Sequence, residues 1–362
     1  MNIRGLINTN LEYFTSNTIY CTKEKMAQVP KVRLQGGLEI CRLLNGMWQV
    51  SGGHGSIDPQ KAVKAMGAYV DAGLTTFDMA DIYGPAEKIF GTFNSQLKSA
   101  VPAPAVQALT KWVPYPSPME INRGVVEEAI QKSMDRMQVE RLDCLQFHWW
   151  NYRDERYLDA LGHLSDLQQE GIIRELALTN FDTQRLEEIV SRGIRISSNQ
   201  VQYSLIDRRP AAKMEKFCLA HDIQMLTYGT LGGGLLSERY LGCREPKSLE
   251  ELNTDSLSKY KKMVDIWGGW ELFQELLSTL DVVARRRGCS IANVATKYVL
   301  DQPAVGGVIV GCRLGVAEHI QDNLRSCSVS LAPEDLQDIN SVLDRSQDLL
   351  LAIGDCGDEY RK

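Results

Sequence analysis

The chain carries no GxGxxG turn after its first candidate strand, where GMWQVSGGHGS stands instead. That absence excludes the usual doubly wound dinucleotide domain, which needs those glycines to bring backbone close to a pyrophosphate. There is no GxSxG elbow and no GxxxxGK[ST] loop, so a serine hydrolase and a P-loop NTPase are also excluded. The five histidines (His54, His148, His163, His221 and His319) show neither HExxH nor any paired spacing, and no metal site is expected. Nine cysteines are scattered singly, odd in number and without a CxxC pair, which fits a reducing compartment better than a disulfide framework. No apolar run approaches the roughly 20 residues of a membrane helix; LLLAI at 349–353 is far too short. The net charge of −6 comes without a lysine or arginine stripe, which argues against nucleic acid. A small-molecule partner, a monomer or weak oligomer, and a cytoplasmic location are what remain.

The first thirty residues, rich in Asn and Thr, lack the continuous apolar stretch of a secretory signal. Residues 1–32 are expected to be an extension, disordered or an organelle-targeting segment, and residues 33–362 a single domain. With 44% apolar and 24% charged residues, that domain can bury a large core. From residue 39 the chain alternates between short apolar runs and segments of helical period. The runs LEICRLLN, TTFDMA, VQALT, DCLQFH, RELALT, ISSNQVQY, IQMLTY and VGGVIVG read as eight strands. Between them Asn122 and Asp182 stand as helix N-caps, and Val316, Ile320 and Leu324 form an i, i+4, i+8 stripe. Eight strand–helix units over about 290 residues predict a (β/α)8 barrel. The stretch from Gly229 to Gly269 is too long for a plain connection and reads as a functional loop with a short helix over 257–264. DLQDINSVL predicts one extra C-terminal helix followed by a polar terminus.

A parallel barrel gathers its strand ends at one face, where sites of this fold are built. Asp78, Tyr83, Lys111 and His148 each lie at or just past such an end, in TTFDMADIYG, VQALTKW and CLQFHWW. Taken singly each has an ordinary explanation: a turn residue, a turn aromatic, a surface lysine, a wall histidine. Together they specify chemistry. A tyrosine with a pKa of about 10 is a poor donor at neutral pH. An adjacent ammonium favours the phenolate and is expected to bring that pKa down. Asp78 would hold Lys111 in place, and His148 would donate a hydrogen bond to a substrate carbonyl. Such a site protonates an oxygen as charge develops on it, as hydride addition to C=O requires.

DMADIYG with a following EKIFG, then LTKW, FHWW, LALTNFD, NQVQYSL, LTYGTLGGGLL and VIVGCRLGVAEHIQDN, in this order over residues 38–345, resemble the aldo-keto reductases. The resemblance implies a (β/α)8 barrel that binds NADPH/NADP+ in extended form without a Rossmann domain. It implies Tyr83 as general acid/base, with Asp78, Lys111 and His148 completing a tetrad. Thr179, Asn180 and Gln200 would meet the nicotinamide carboxamide, and Tyr228, with Gly229 beside it, would stack on the ring. Gly46, Met47 and Trp48 would lie beside the ribose and substrate, and Leu231 and Gly232 would offer amides to the pyrophosphate. Gly311, Arg313, His319, Asp322 and Asn323 would serve the adenosine end at a helix N-terminus. Arg313, whose fork fits a 2′-phosphate, favours NADPH over NADH. The sequence departs from many relatives in a loop about two residues longer here, and in Cys312 where alanine is common.

Trp48, Trp112, Tyr115, Trp149, Trp150, Trp267 and Trp270 fall in segments expected at the active-site end. With Trp48, Tyr83, Trp112, His148 and Trp149 as the pocket, the substrate is expected to be an aromatic or hydrophobic aldehyde or ketone. The same resemblance permits an alternative: a redox-sensing or regulatory subunit like the β subunits of potassium channels, binding NADP(H) with little turnover.

Overall fold

The computed structural model describes residues 29–99, 105–115, 119–248 and 250–361. Residues 1–28 of the expected extension lie outside these. The described chain opens with an antiparallel hairpin, β1 (Lys31–Arg33) and β2 (Glu39–Cys41), which begins inside the segment assigned to the extension. Eight parallel strands then close into a barrel: β3 (Leu43–Gly46), β4 (Thr76–Asp78), β5 (Gln107–Trp112), β6 (Leu142–Phe147), β7 (Ile173–Thr179), β8 (Ser198–Gln202), β9 (Gln224–Tyr228) and β10 (Val305–Gly311). Closure is made by β10 against β3, with Gly311 opposite Gly46.

LEICRLLN, expected as one strand, is two. The break falls at Arg42, whose guanidinium donates to the carbonyls of Leu300 (2.5 Å), ahead of β10, and of Val305 (2.8 Å) and Gly306 (3.3 Å) at its start. The residues before Arg42 turn under the barrel and those after it enter the wall. Leu34, Leu38 and Ile40 of the hairpin pack with Leu44, Leu109, Cys144, Ala177 and Leu226 of the barrel. The hairpin turn is pinned by buried Glu175, whose carboxylate accepts from the amides of Gly36 (2.8 Å) and Leu38 (2.9 Å). This end is a plug, and the opposite end is left to function.

Side chains two apart along a strand share a face. The inward set therefore climbs in layers: Leu109 below Lys111 on β5, and Cys144 below Gln146 and His148 on β6. The same period carries Ala177 to Thr179 on β7 and Leu226 to Tyr228 on β9. The lower layer is apolar, the next is polar, and the rim carries the site.

The helices follow their sequence signals in most places. Asn122 accepts from the Val125 amide (3.1 Å) and Asp182 from that of Arg185 (2.7 Å), each capping its helix as expected. The long segment after β9 holds a helix over Asp255–Trp267, longer than the one expected. The stripe beginning at Val316 is corrected. The helix starts only at Ile320 and runs to Ser328, and Val316 is an exposed loop residue. At the C-terminal end the predicted helix forms over Pro333–Leu343. The residues beyond it do not trail into solvent: a short helix (Leu349–Ile353) and a single turn (Asp358–Tyr360) return to the rim of the barrel. Among the described residues no helix is long and apolar enough to cross a membrane.

Candidate active site

Asp78 ends β4 in register with Leu109, and Lys111 is the next inward residue of β5, one residue before its end. Their side chains are each 3% exposed and meet at 2.6 Å between Lys111 Nζ and Asp78 Oδ2. Lys111 also donates to the Met79 carbonyl (2.8 Å). The other carboxylate oxygen, Oδ1, accepts from Gln146 Nε2 (2.7 Å) and Gln200 Nε2 (2.8 Å). Burial works against the Lys111 ammonium, but the Asp78 carboxylate and Tyr83 more than offset it, and its pKa is raised. Lys111 is therefore a fixed cation.

Tyr83 sits in the turn after β4, with the Lys111 ammonium 4.8 Å from its ring centre and Trp48 edge-on at 5.0 Å. The sequence argument expected the lysine to bring the phenol's pKa down. In this structure the net shift is upward, because burial outweighs the stabilisation of the phenolate by Lys111. The proton is thus held on Tyr83.

His148 follows β6 and is 3% exposed. Its Nδ1 lies 3.1 Å from the Thr179 carbonyl. A carbonyl only accepts, so Nδ1 carries the proton. Burial pushes the imidazole down to about 4, against the pull of that hydrogen bond. The neutral ring then has a bare Nε2, which is buried without a protein partner among the described residues. This corrects the expected donor role: His148 Nε2 accepts.

The sign of the resulting pH dependence follows. With a folded pKa below the unfolded value, the unfolded chain binds more protons between about pH 4 and about pH 6.5. His148 therefore adds stability that is complete above that window and lost as pH falls through it. Asp81, pushed up to about 6 chiefly by burial, acts in the opposite sense over an overlapping range. Urea unfolding at pH 4.5, 5.5 and 6.5 should show the wild type losing more stability on acidification than His148→Gln. Equal losses would contradict the neutral assignment.

The residues assigned to the nicotinamide converge. Thr179 ends β7, its hydroxyl 3.2 Å from the Gln200 carbonyl. Asn180 adopts φ +59°, and its Oδ1 accepts from Tyr228 OH at 2.7 Å. Gln200 spends its Nε2 on Asp78 and on Gln146 Oε1 (2.6 Å). Gly229, Gly232, Gly233 and Gly234 all have positive φ, a conformation that opens backbone to close approach. A Cβ on Gly229 would lie 2.3 Å from Tyr260 OH, so glycine is required there. The Gly232 amide is not offered outward as expected, since it donates to the Gly229 carbonyl (2.9 Å). Leu231, just before it, is half-buried against the core.

Gly46 ends β3 and Met47 follows it, fully buried. The far end departs more. Arg313 donates to the His54 carbonyl (2.7 Å). The Ile320 amide is capped by Glu318, and the Asn323 amide by the carbonyl of His319 (2.8 Å). Asp322 receives Ser290 Oγ (3.2 Å) and, through its carbonyl, Asn293 Nδ2 (2.7 Å), so it ties two helices together and does not face the cleft. Gly311 packs on Gln49, where a Cβ would come within 2.1 Å of Nε2.

Two pocket assignments also fail. Trp112 packs on Phe147 (5.3 Å), and fully buried Trp149 gives its N–H to the carbonyls of Asn151 (3.0 Å) and Asp154 (2.9 Å). Both are wall residues. Trp267 and Trp270 are buried as well. Trp150 takes their place, 4.5 Å from His148 and 5.8 Å from Tyr115. Gln146, fully buried between Asp78 and Gln200, was also missed. Its signal is a lone amide two residues before His148, on the inward face of the strand that it shares with apolar Cys144.

An aldo/keto reductase family model matches residues 42–344, and the chain belongs to that family of oxidoreductases acting between carbonyl and alcohol. Among curated proteins it is 25% identical to a chloroplastic pyridoxal reductase of Arabidopsis thaliana, covering 86% of each chain. It is 26% identical to the aldo-keto reductase YhdN of Bacillus subtilis, over 86% of this chain and 92% of that one. Among solved structures, a glycerol dehydrogenase of Gluconobacter oxydans superposes with a TM-score of 0.70 at 22% identity, covering 87% of this chain and 95% of the other. An aldo/keto reductase of Klebsiella pneumoniae, crystallised with NADP and acetate, gives 0.65 at 21% identity over 88% and 96%.

Proposed function

We propose that the chain reduces an aldehyde or ketone to the alcohol using NADPH, with Tyr83 as the proton donor. The observation that carries this reading is the buried Lys111–Asp78 pair beneath Tyr83, a cation fixed next to a phenol at the open end of a barrel. A solved relative was crystallised with NADP, which supports the choice of nucleotide. The corner formed by Thr179, Asn180, Gln200 and Tyr228 fits a carboxamide and a flat ring. Among the described residues Gln200 Oε1 takes no hydrogen bond, and Tyr228 presents an aromatic face. Bound there, the nicotinamide would supply the hydride.

The chain's own residues do the rest. Tyr83 holds its proton until negative charge builds on the substrate oxygen, and then donates it. The phenolate that forms is met by the Lys111 ammonium, already locked by Asp78. His148, neutral and proton-free at Nε2, accepts the hydroxyl of the alcohol as it forms and orients it. Its tautomer is fixed by Thr179.

Trp48 beside Tyr83, and Trp150 with Tyr115 beside His148, support an aromatic or hydrophobic substrate. Pyridoxal, named in the Arabidopsis relative, is an aromatic aldehyde. The test is NADPH oxidation with 4-nitrobenzaldehyde against D-xylose. A kcat/KM at least tenfold higher for the aromatic aldehyde is expected, and equal values would sink the substrate assignment. Tight NADPH binding without turnover of either would favour the regulatory-subunit reading.

A further inference from the structure

The residues after Gly354 form a strap across the rim of the barrel. Its base is anchored by charge: Glu359 meets Arg209 through two contacts (3.0 and 3.1 Å), and Arg209, its side chain 1% exposed, also holds Asp207 (2.7 Å) and the Asp355 carbonyl (2.9 Å). Asp355 Oδ2 accepts from the Thr183 amide (3.1 Å). Gly357, at φ +87°, lies so close to Asn180 that a Cβ would come within 2.1 Å of its carbonyl oxygen. Arg361 lies over the Tyr152 ring (3.9 Å) and donates to the Trp149 carbonyl (3.2 Å).

The tip of the strap is different in kind. Tyr360 OH lies 3.0 Å from Tyr228 OH and receives Lys259 Nζ. Its ring stands edge-on to His148 at 6.4 Å. Lys259 Nζ in turn lies 5.3 Å from the Tyr228 ring centre and 4.5 Å from that of Tyr360. Thus Tyr228, which the nicotinamide reading requires, is engaged by Tyr360 of the strap and by Lys259, while its hydroxyl also donates to Asn180 Oδ1 (2.7 Å) and Gly357 packs on the Asn180 carbonyl. One face of Tyr228 is taken by an ammonium, and its hydroxyl is committed on both sides.

We propose that the strap and the nicotinamide ring compete for this corner, so that nucleotide binding requires Tyr360 to release Tyr228 and Lys259 while the Arg209–Glu359 base stays docked. This inference rests on the cofactor site proposed above. The contacts at the tip are single hydrogen bonds from hydroxyls and an ammonium, exchangeable for water, whereas the base is a buried ion pair whose separation leaves bare charge. Tyr360 follows Glu359 directly, so its release is a turn of its own side chain and of the last residues beyond Glu359, with the backbone up to Glu359 kept in place. The competition is reciprocal: whatever weakens the docked tip strengthens nucleotide binding by the same factor.

The test uses the full chain, titrating NADPH by quenching of tryptophan fluorescence in wild type and in Tyr360→Phe, which loses the hydroxyl that joins Lys259 to Tyr228. Hydrogen exchange of the peptide over residues 349–361 is read in parallel. A truncation after Gly354 serves as a second variant, and Tyr360→Phe carries the test if the truncated chain fails to fold. The expected result is about tenfold tighter NADPH binding by Tyr360→Phe, with faster exchange at the tip amides of 360–361 when NADPH is added to wild type. Unchanged or weaker binding by Tyr360→Phe, or NADPH slowing exchange there, overturns the competition and makes the strap a wall of the bound site. Failure of every form to bind NADPH would instead remove the cofactor reading, and this inference with it.

Discussion

Tyr83→Phe should lower turnover of an aldehyde by about 10²- to 10⁴-fold, the range that a positioned proton donor supplies, while leaving NADPH binding within a fewfold of wild type. The substitution removes one oxygen. The ring that packs edge-on against Trp48 remains, as does the Lys111–Asp78 pair beneath it. The loss should therefore fall on kcat, with little change in unfolding midpoint, because the interaction removed is made chiefly in the transition state. A variant that turns over within tenfold of wild type would assign the proton to another group. The structure offers Tyr360, 6.4 Å from His148 and bonded to its own lysine, as the group to examine next.

Arg209→Met should produce the largest loss of stability, about 3–5 kcal/mol. Arg209 is the single cation between two carboxylates: Asp207, its side chain 1% exposed, and Glu359, 14% exposed. Methionine fills much of the same volume but takes the guanidinium from both carboxylates, leaving Asp207 only the Gln202 amide (2.8 Å) and its backbone contact, and that cost dominates the ordinary penalty of a core substitution. Adding Glu359→Gln to Arg209→Met should recover part of the loss, since it removes one of the orphaned charges, so the two changes should not be additive. Urea midpoints of the single and double variants measure this. A loss under about 1 kcal/mol for Arg209→Met would show the pair to be solvated, in the manner of a surface ion pair.

The barrel was legible because its signals are local: eight apolar runs, N-caps such as Asn122 and Asp182, and spacings that fit one strand–helix unit each. The convergence of Asp78, Tyr83, Lys111 and His148 followed from strand ends alone. What was not legible depends on contacts distant in sequence. The split at Arg42 depends on carbonyls more than 250 residues away. Trp149 and Trp150 are neighbours with opposite roles, one buried in the wall and one beside His148, and only the bend after β6 decides which is which. The direction of the Tyr83 shift depends on how deeply the phenol is enclosed, a quantity no motif encodes. His148 was assigned as a donor because imidazole can be one, but the Thr179 carbonyl that fixes its tautomer is invisible in FHWW. The polar DCGDEYRK ending reads as a solvated tail until Glu359 is seen to meet Arg209, 150 residues earlier.

The most direct test of the central claim follows the hydride itself. NADPH carrying deuterium at both C4 positions would be incubated with 4-nitrobenzaldehyde and the wild-type chain, and the alcohol analysed by mass spectrometry. The account predicts one deuterium on the carbinol carbon of the product and almost no labelled alcohol with Tyr83→Phe. NADPH bound tightly by wild type, with no deuterium transferred to this or other aromatic aldehydes, would contradict a reductase and leave a nucleotide-binding regulator.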